Sequence, residues 1–312
     1  MNSSNASPSN VSNQDPSAEK IITRFAPSPT GLLHLGHAYS ALFAGRLATA
    51  AEGQFILRIE DIDPGRCRPE FEDAIIEDMA WLGLEWTQPV WRQSERMNDY
   101  GSAIEALKGM GLLYPCFCTR KDIAAEISQS GAAPHLTHDG PDGPIYPGIC
   151  KSLDGSTRAS RIKDGEPHAL RLDMDAAVSR SGPLTWRDRS RGEQTAAPEI
   201  FGDVVLARKD VATSYHLAVT IDDASQGITL VTRGTDLFAA THIHRLLQAL
   251  LDLDVPEWHH TPLLSNSEGE RLAKRDRTFT LRAMRDAGTD PEEIWAMAIR
   301  QIARGAASAN EF

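Results

Sequence analysis

The chain has 312 residues, 41% hydrophobic and 24% charged, the balance of an ordinary globular protein with one large or two medium domains. No apolar run approaches the roughly 20 residues that span a bilayer, and four cysteines in so long a chain do not form a disulfide framework, so no membrane role and a cytoplasmic setting are expected. The formal net charge of -11 opposes association with nucleic acid by the chain as a whole, because phosphate binding rests on Lys and Arg. Basic residues nevertheless gather at Arg187, Arg189 and Arg191, at Arg208-Lys209, and at Arg271, Lys274, Arg275 and Arg277, which leaves a segregated RNA-facing surface open.

Residues 1–19, rich in Asn, Ser and Pro, carry no hydrophobic periodicity and are expected to be a disordered tail. They lack the basic-then-apolar pattern of a secretion signal, so the sequons at Asn2, Asn5 and Asn10 are read as accidents of composition. Lys20 to Phe25 reads as a short buried strand, and Gly36 to about Ala51 as a helix ending at Gly53. Between them lies Arg24-Phe-Ala-Pro-Ser-Pro-Thr-Gly-Leu-Leu-His-Leu-Gly-His37. Pro27 and Pro29 stiffen this loop, Gly31 and Gly36 permit close approach of backbone to a ligand, and a helix start attracts anions. Gln54 to Glu60 alternates as a second strand, and Pro69 to Leu82 is an amphipathic helix stopped by Gly83. The strand–helix–strand order makes a right-handed unit of a parallel sheet, with the first loop at the carboxyl edge where nucleotides bind.

A further helix is expected from Met97 to Met110, followed by Leu113-Tyr-Pro-Cys-Phe-Cys118. From Lys121 to Pro167 the periodicity lapses among Gly, Pro, Ser and Asp, as in an insertion on a Rossmann-type core. Strands return at His168–Asp173 and Asp203–Arg208, and Tyr215–Arg233 with a helix around His242–Leu251 completes the core. The expected division is 20–112 for the first half of an α/β core, 113–200 for the insertion, 201–277 for the second half and 278–312 for a short helical end. Cys116-x-Cys118 with Tyr146-Pro-Gly-Ile-Cys150 offers three thiolates and a phenolate, enough for a closed tetrahedral Zn²⁺ site. His135 and His138 are the alternatives to Tyr146 as fourth ligand, and Cys67 has no partner pattern.

The run from Arg24 to His37 closely resembles the ATP-binding signature of class I aminoacyl-tRNA synthetases, and its first eight residues have the form typical of the glutamyl and glutaminyl branch. The resemblance extends from Thr23 to about Arg277. It implies that Pro27, Thr30, Gly31, His34, Gly36, His37 and Lys274 bind ATP, with Mg²⁺ on its phosphates, and that His34, His37 and Lys274 are catalytic. Lys274 is assigned because Arg271-Leu-Ala-Lys-Arg275 looks like a degenerate Lys-Met-Ser-Lys-Ser loop, in which Arg271 replaces the first lysine and Ala273 and Arg275 replace the serines. That departure bears on how the loop closes. By the same resemblance Arg24, Phe25, Ala26, Pro27, Ser28, Glu60, Tyr215 and Arg233 line a glutamate pocket. Arg24 and Arg233 would hold the side-chain carboxylate and Glu60 the amine.

The Cys-x-Cys and Tyr-x-x-x-Cys pair resembles the zinc site of the short glutamyl-queuosine synthetases, and on that motif Tyr146 is the preferred fourth ligand. The chain ends at Phe312, too soon after Lys274 for another independent domain, so an anticodon-reading domain is not expected. The resemblance then implies activation of L-glutamate by ATP and its transfer to the queuosine at the wobble position of tRNA(Asp), by a monomer. Two alternatives remain open. One is a small glutamyl-tRNA synthetase charging the tRNA 3′ end, and the other is a non-catalytic paralogue that binds RNA or a protein.

Overall fold

The computed structural model describes residues 20–130, 139–264 and 280–309, and its first unit is the expected strand–helix–strand. Strand β1 (Ile22–Phe25) and β2 (Gln54–Ile59) run parallel, joined by α1 (Leu35–Ala50). Helix α2 (Pro69–Trp81) begins with a proline, whose missing N–H costs nothing at the first helical position, and stops before Gly83, where φ is +70°. β3 (Thr87–Arg92) follows, parallel to β2 and unforeseen from the sequence. It lies at the end of the order β1-β2-β3, Pro89 falls where its register on β2 shifts, and its mixed text Thr-Gln-Pro-Val-Trp-Arg gives no apolar pattern to read.

Helix α3 (Met97–Gly109) buries Tyr100, Ala103, Ile104 and Leu107, the spacing of one helical face. Then come β4 (Leu113–Cys116), α4 (Arg120–Ser130), the paired short strands β5 (Asp139–Gly140) and β6 (Gly143–Pro144), and α5 (Gly155–Lys163). Two helices thus occupy a stretch whose periodicity lapses in sequence. The reason is exposure: α5 buries no residue, so it has no apolar stripe, and its start is fixed by Asp154 accepting from Thr157 N at 2.9 Å.

Next come β7 (Ala169–Leu172), α6 (Met174–Ser181), β8 (Thr185–Asp188), β9 (Gly192–Thr195) and β10 (Val205–Ala207). β7 is the middle strand of an antiparallel sheet between β10 and β4. The chain continues through α7 (Tyr215–Ser225), β11 (Leu230–Gly234), α8 (Ala240–Leu250), β12 (Glu257–Thr261), α9 (Leu281–Asp286) and α10 (Pro291–Ala309). β11, β12 and β8 are parallel, with β9 antiparallel on β8, so part of the 113–200 stretch hydrogen-bonds to the second half of the core.

β11 lies beside β1: Thr229 N donates to the Ile22 carbonyl at 3.1 Å, and Ile22 N donates to Thr229 Oγ1 at 2.9 Å. Strand order therefore turns in two directions from β1 and β11, and the carboxyl ends of the parallel strands open onto a crevice there. α1 crosses this junction and is buried on most sides because α10 covers it, with Tyr39 stacked on Trp295 at 5.5 Å between ring centroids. Leu57, Ile59, Ile75 and Met79 fill the core beneath, fully buried, and cutting any one of them to alanine would cost about 2–5 kcal/mol.

Candidate active site

The crevice is a cavity of ≈ 670 Å³. β1 ends into it with Arg24 through Ser28, α1 starts beside it with His34, Gly36 and His37, and β2 ends at Glu60. Tyr215 heads α7 and Arg233 lies near the end of β11. Thus all eight residues expected around glutamate, and four of the six described residues expected around ATP besides Lys274, share one cavity wall. Thr30 and Gly31 are not on it. They turn the chain, with Thr30 N donating to the Ser28 carbonyl at 2.8 Å.

The loop is held from both sides. The carbonyl of Pro27 accepts from Glu60 N and that of Pro29 from Arg68 N, both at 3.0 Å. His34 caps α1: its Nδ1 accepts from Gly36 N at 3.1 Å, and His37 Nδ1 accepts from His34 N at 3.2 Å. With Nδ1 accepting in both rings, the neutral imidazoles carry their hydrogen on Nε2, a donor suited to a phosphate oxygen. Gly36 is needed beneath the His34 ring, since a Cβ there would meet ring atoms at 3.0 and 3.2 Å.

A buried charge cluster underlies the amino-acid end of the cavity. Asp223, on α7, accepts from Arg24 Nε and Nη2 at 3.0 and 3.2 Å and from Arg58 Nη1 at 2.8 Å. Arg58 also donates to Glu60 at 3.2 Å, and Arg24 Nη1 donates to the Thr232 carbonyl at 3.1 Å. Burial works against ionisation of Asp223, but Arg24 and Arg58 outweigh it and hold its carboxyl below the usual range. For Glu60 the balance is reversed: burial raises its pKa despite Arg58 and Arg24.

Two arginines and two carboxylates offset each other there, and Arg233 stands apart. Its guanidinium is buried with no carboxylate at ion-pair distance among the described residues. It donates instead to His260 Nε2 at 3.1 Å, His244 Nδ1 at 3.1 Å and Thr241 Oγ1 at 2.6 Å. The two arginines expected to act together are therefore unlike: Arg24 forms an ion pair with Asp223, and Arg233 has no ion-pair partner among the described residues.

Asp223, Thr241, His244 and His260 escaped the sequence reading. Asp222-Asp223 in an otherwise apolar helical run was the available signal, because carboxylates on a buried face imply cations opposite. Asp222 likewise meets Arg96 at 2.7 Å, Tyr100 at 2.8 Å and Gln93 at 2.9 Å. The cavity also takes walls from Ser40, Leu237 and Thr261–Leu264, small, apolar or hydroxyl residues without a marked pattern in sequence, and from the carboxylate residue Asp236.

A second cluster joins β4 to the Tyr146–Cys150 turn. The sulfurs of Cys116, Cys118 and Cys150 lie within 4.8 Å of one another. Tyr146 Oη is 3.4 Å from Cys116 Sγ and 3.5 Å from Cys118 Sγ, and accepts from Cys150 N at 2.8 Å. Cys118 and Cys150 sulfurs are 3.4 Å apart, too far for a disulfide and near the roughly 3.8 Å edge of a tetrahedron with metal–sulfur bonds of about 2.3 Å. Burial pushes the Cys118 thiol up to about 11, whereas at Cys150 burial is outweighed by the hydrogen bonds from Phe117 N and Tyr146, which lower it. The donor set fits a zinc ion. Cys67 stands apart, its sulfur 4.0 Å from the Glu60 carbonyl.

His135, His138, Arg271, Lys274, Arg275, Arg277 and the 1–19 tail lie outside the described residues. Of the neighbouring described residues, Leu264 lies on the cavity wall and Thr280 forms a backbone bridge with His34. The other basic groups have local partners: Arg187 and Arg189 meet Glu257 at 3.0 and 2.7 Å, Arg208 meets Asp210 at 2.7 Å, and Lys209 donates to the Phe117 carbonyl. Among the described residues no helix is long and apolar enough to cross a membrane.

Residues 20–312 match the family "tRNA synthetases class I (E and Q), catalytic domain". The glutamyl-Q tRNA(Asp) synthetase of Rhodobacter capsulatus is 48% identical over 280 residues, covering 88% of this chain and 98% of that one. The glutamate–tRNA ligase of Aquifex aeolicus is 36% identical over 278 residues, covering 88% of this chain but 56% of its own. A crystal structure of a glutamate tRNA ligase from Elizabethkingia meningosepticum with its amino acid superposes with a TM-score of 0.69 at 30% identity, covering 83% of this chain. The chain spans about half the length of that ligase, 52%. By family match, identity and fold, the chain belongs to the class I (E and Q) tRNA synthetases, among the glutamyl-Q tRNA(Asp) synthetases, and is a ligase.

Proposed function

We propose that the chain activates L-glutamate with ATP as glutamyl-adenylate and transfers the glutamate to the queuosine at the wobble position of tRNA(Asp). The observation that carries the glutamate reading is Arg233, a buried guanidinium in the cavity with no carboxylate at ion-pair distance among the described residues. A substrate carboxylate would supply the missing charge. Glu60, a buried acid across the same cavity, suits the α-ammonium, and Arg24 flanks the pair.

In the first step an oxygen of the α-carboxylate attacks the α-phosphorus of ATP and pyrophosphate leaves. The Nε2 donors of His34 and His37 and the amino end of α1 are placed to meet the charge that grows on the phosphoryl oxygens. Lys274, which lies outside the described residues, would be a further donor by the family resemblance. Mg²⁺ on the phosphates supplies further charge neutralisation when bound. In the second step a queuosine hydroxyl attacks the acyl carbon and AMP departs. The queuosine acceptor is supported by greater identity to, and nearly complete coverage of, a glutamyl-Q tRNA(Asp) synthetase than of a glutamate–tRNA ligase. Cys116, Cys118, Cys150 and Tyr146 would hold one Zn²⁺, which ties β4 to the turn before α5 and serves structure.

Glutamate-dependent ATP–pyrophosphate exchange tests activation, and its absence overturns it. Labelled glutamate offered to tRNA(Asp) with and without queuosine, and to tRNA(Glu), tests the acceptor. Charging of tRNA(Glu) alone would overturn the proposal in favour of 3′-end esterification.

A further inference from the structure

We propose that His260 and His244 are positioning residues that set the specificity of this site for an anionic side chain, by holding Arg233 as neutral acceptors of fixed tautomer. The inference rests on the reading of Arg233 as the glutamate carboxylate receptor. A guanidinium has only donors, so each imidazole nitrogen facing it must accept. His260 Nε2 accepts from Arg233 Nε at 3.1 Å, which leaves its hydrogen on Nδ1, and that nitrogen donates to Asp188 Oδ2 at 2.6 Å. The other oxygen of Asp188 accepts from Ser190 N at 2.9 Å and Arg191 N at 3.1 Å, so the fully buried carboxylate is satisfied and ionised. His244 has the opposite tautomer. Its Nδ1 accepts from Arg233 Nη1 at 3.1 Å, and Nε2 donates to His216 Nδ1 at 3.3 Å, whose other nitrogen faces Asp142 at 3.6 Å.

Burial and the neighbouring arginines oppose protonation of these rings. Burial and Arg233 bring His260 down to about 4 against the pull of Asp188, with Arg191 also adverse. For His244, burial, Arg233, His216 and Arg24 all act in the same direction. Three nitrogens of Arg233 are therefore fixed in space by His260, His244 and Thr241, and its charge is left for the ligand. Asp223 shows the contrast, since it orients Arg24 and cancels it. Glutamine, with a neutral amide, would leave a buried unpaired cation, and the site rejects it on that ground.

In ATP–pyrophosphate exchange, His260→Leu and His244→Leu are expected to raise the glutamate KM about 10- to 100-fold, with the ATP KM changed less than about twofold. His260→Gln and His244→Asn, whose amide oxygens take the places of Nε2 and Nδ1, should recover most of the loss. His244→Asp keeps an acceptor but adds the cancelling charge, and should stay as impaired as the leucine variant. Unchanged glutamate KM in the leucine variants, parallel loss of ATP affinity without amide rescue, or His244→Asp matching His244→Asn would each overturn the inference. Imidazole nitrogen spectra of the unmodified protein provide a measurement that needs no stable variant. They should show His260 protonated on Nδ1 and His244 on Nε2 at pH 7, and the reversed tautomers or imidazolium would refute it. If the unmodified protein shows no glutamate-dependent exchange, the reading of the cavity fails, while the tautomers are still decided by the spectra.

Discussion

Replacing Asp223 by alanine removes the single anion shared by two buried cations. Three charge-assisted hydrogen bonds go with it, from Arg24 at 3.0 and 3.2 Å and Arg58 at 2.8 Å. At about 1.5–3 kcal/mol each, the gross loss is about 5–9 kcal/mol. Arg58 retains Gln226 and Glu60, and Arg24 retains the Thr232 carbonyl, so the net cost should fall to the roughly 3–5 kcal/mol seen when one partner of a buried pair is removed. Asp223→Asn keeps one acceptor oxygen and should cost about 2–3 kcal/mol. Urea denaturation at pH 7 reads both values. The pH dependence adds a second check. Burial disfavours ionisation of Asp223, yet Arg24 and Arg58 hold its pKa down in the fold. Its contribution is thus fully present above the unfolded value of about 3.9 and is lost as pH falls through the lower folded value. Asp223→Asn should flatten that acid limb. An alanine variant within about 1 kcal/mol of the parent, with an unchanged limb, would refute the claim that this carboxylate holds the cluster together.

Burial raises the Glu60 pKa, and an arriving α-ammonium should lower it, so glutamate binding at mildly acidic pH should release a proton. Calorimetry in buffers of different ionisation enthalpy measures this, and Glu60→Gln should abolish it. Zinc stoichiometry should drop from one toward zero in Cys118→Ser and Cys150→Ser and fall in Tyr146→Phe, while His135→Ala and His138→Ala keep the metal; loss only in the histidine variants would move the fourth ligand. Lys274→Ala should suppress pyrophosphate exchange about 100-fold or more, the scale of losing one transition-state donor, and unchanged activity would remove that lysine from the mechanism.

The strand–helix–strand start was legible because prolines and glycines punctuate the loop between β1 and α1 and Gly53 ends the helix, even though α1 and β2 are buried on both faces and carry little amphipathic period. β3 was illegible, since an edge strand with Pro89 and few apolar residues has no alternation to show. α5 was illegible for a related reason, as a helix with no buried face leaves no stripe. The convergence of Cys116, Cys118 and Cys150 was expected from their paired motifs, and that of Tyr146 from the resemblance to the zinc site of the short glutamyl-queuosine synthetases.

What the sequence offered by itself is an expected inventory of the site. The run from Arg24 to His37, with Glu60, Tyr215 and Arg233, points to the chemistry through its resemblance to the glutamyl branch of the class I synthetases, and the fold brings these residues to one cavity. Tertiary structure alone decided which charges cancel. Arg24 and Arg233 look equivalent in sequence, yet a carboxylate 199 positions away on α7 neutralises the first, while imidazoles from α8 and β12 hold the second without discharging it. Electrostatic pairing depends on distance and burial in space, and no local pattern along the chain encodes it.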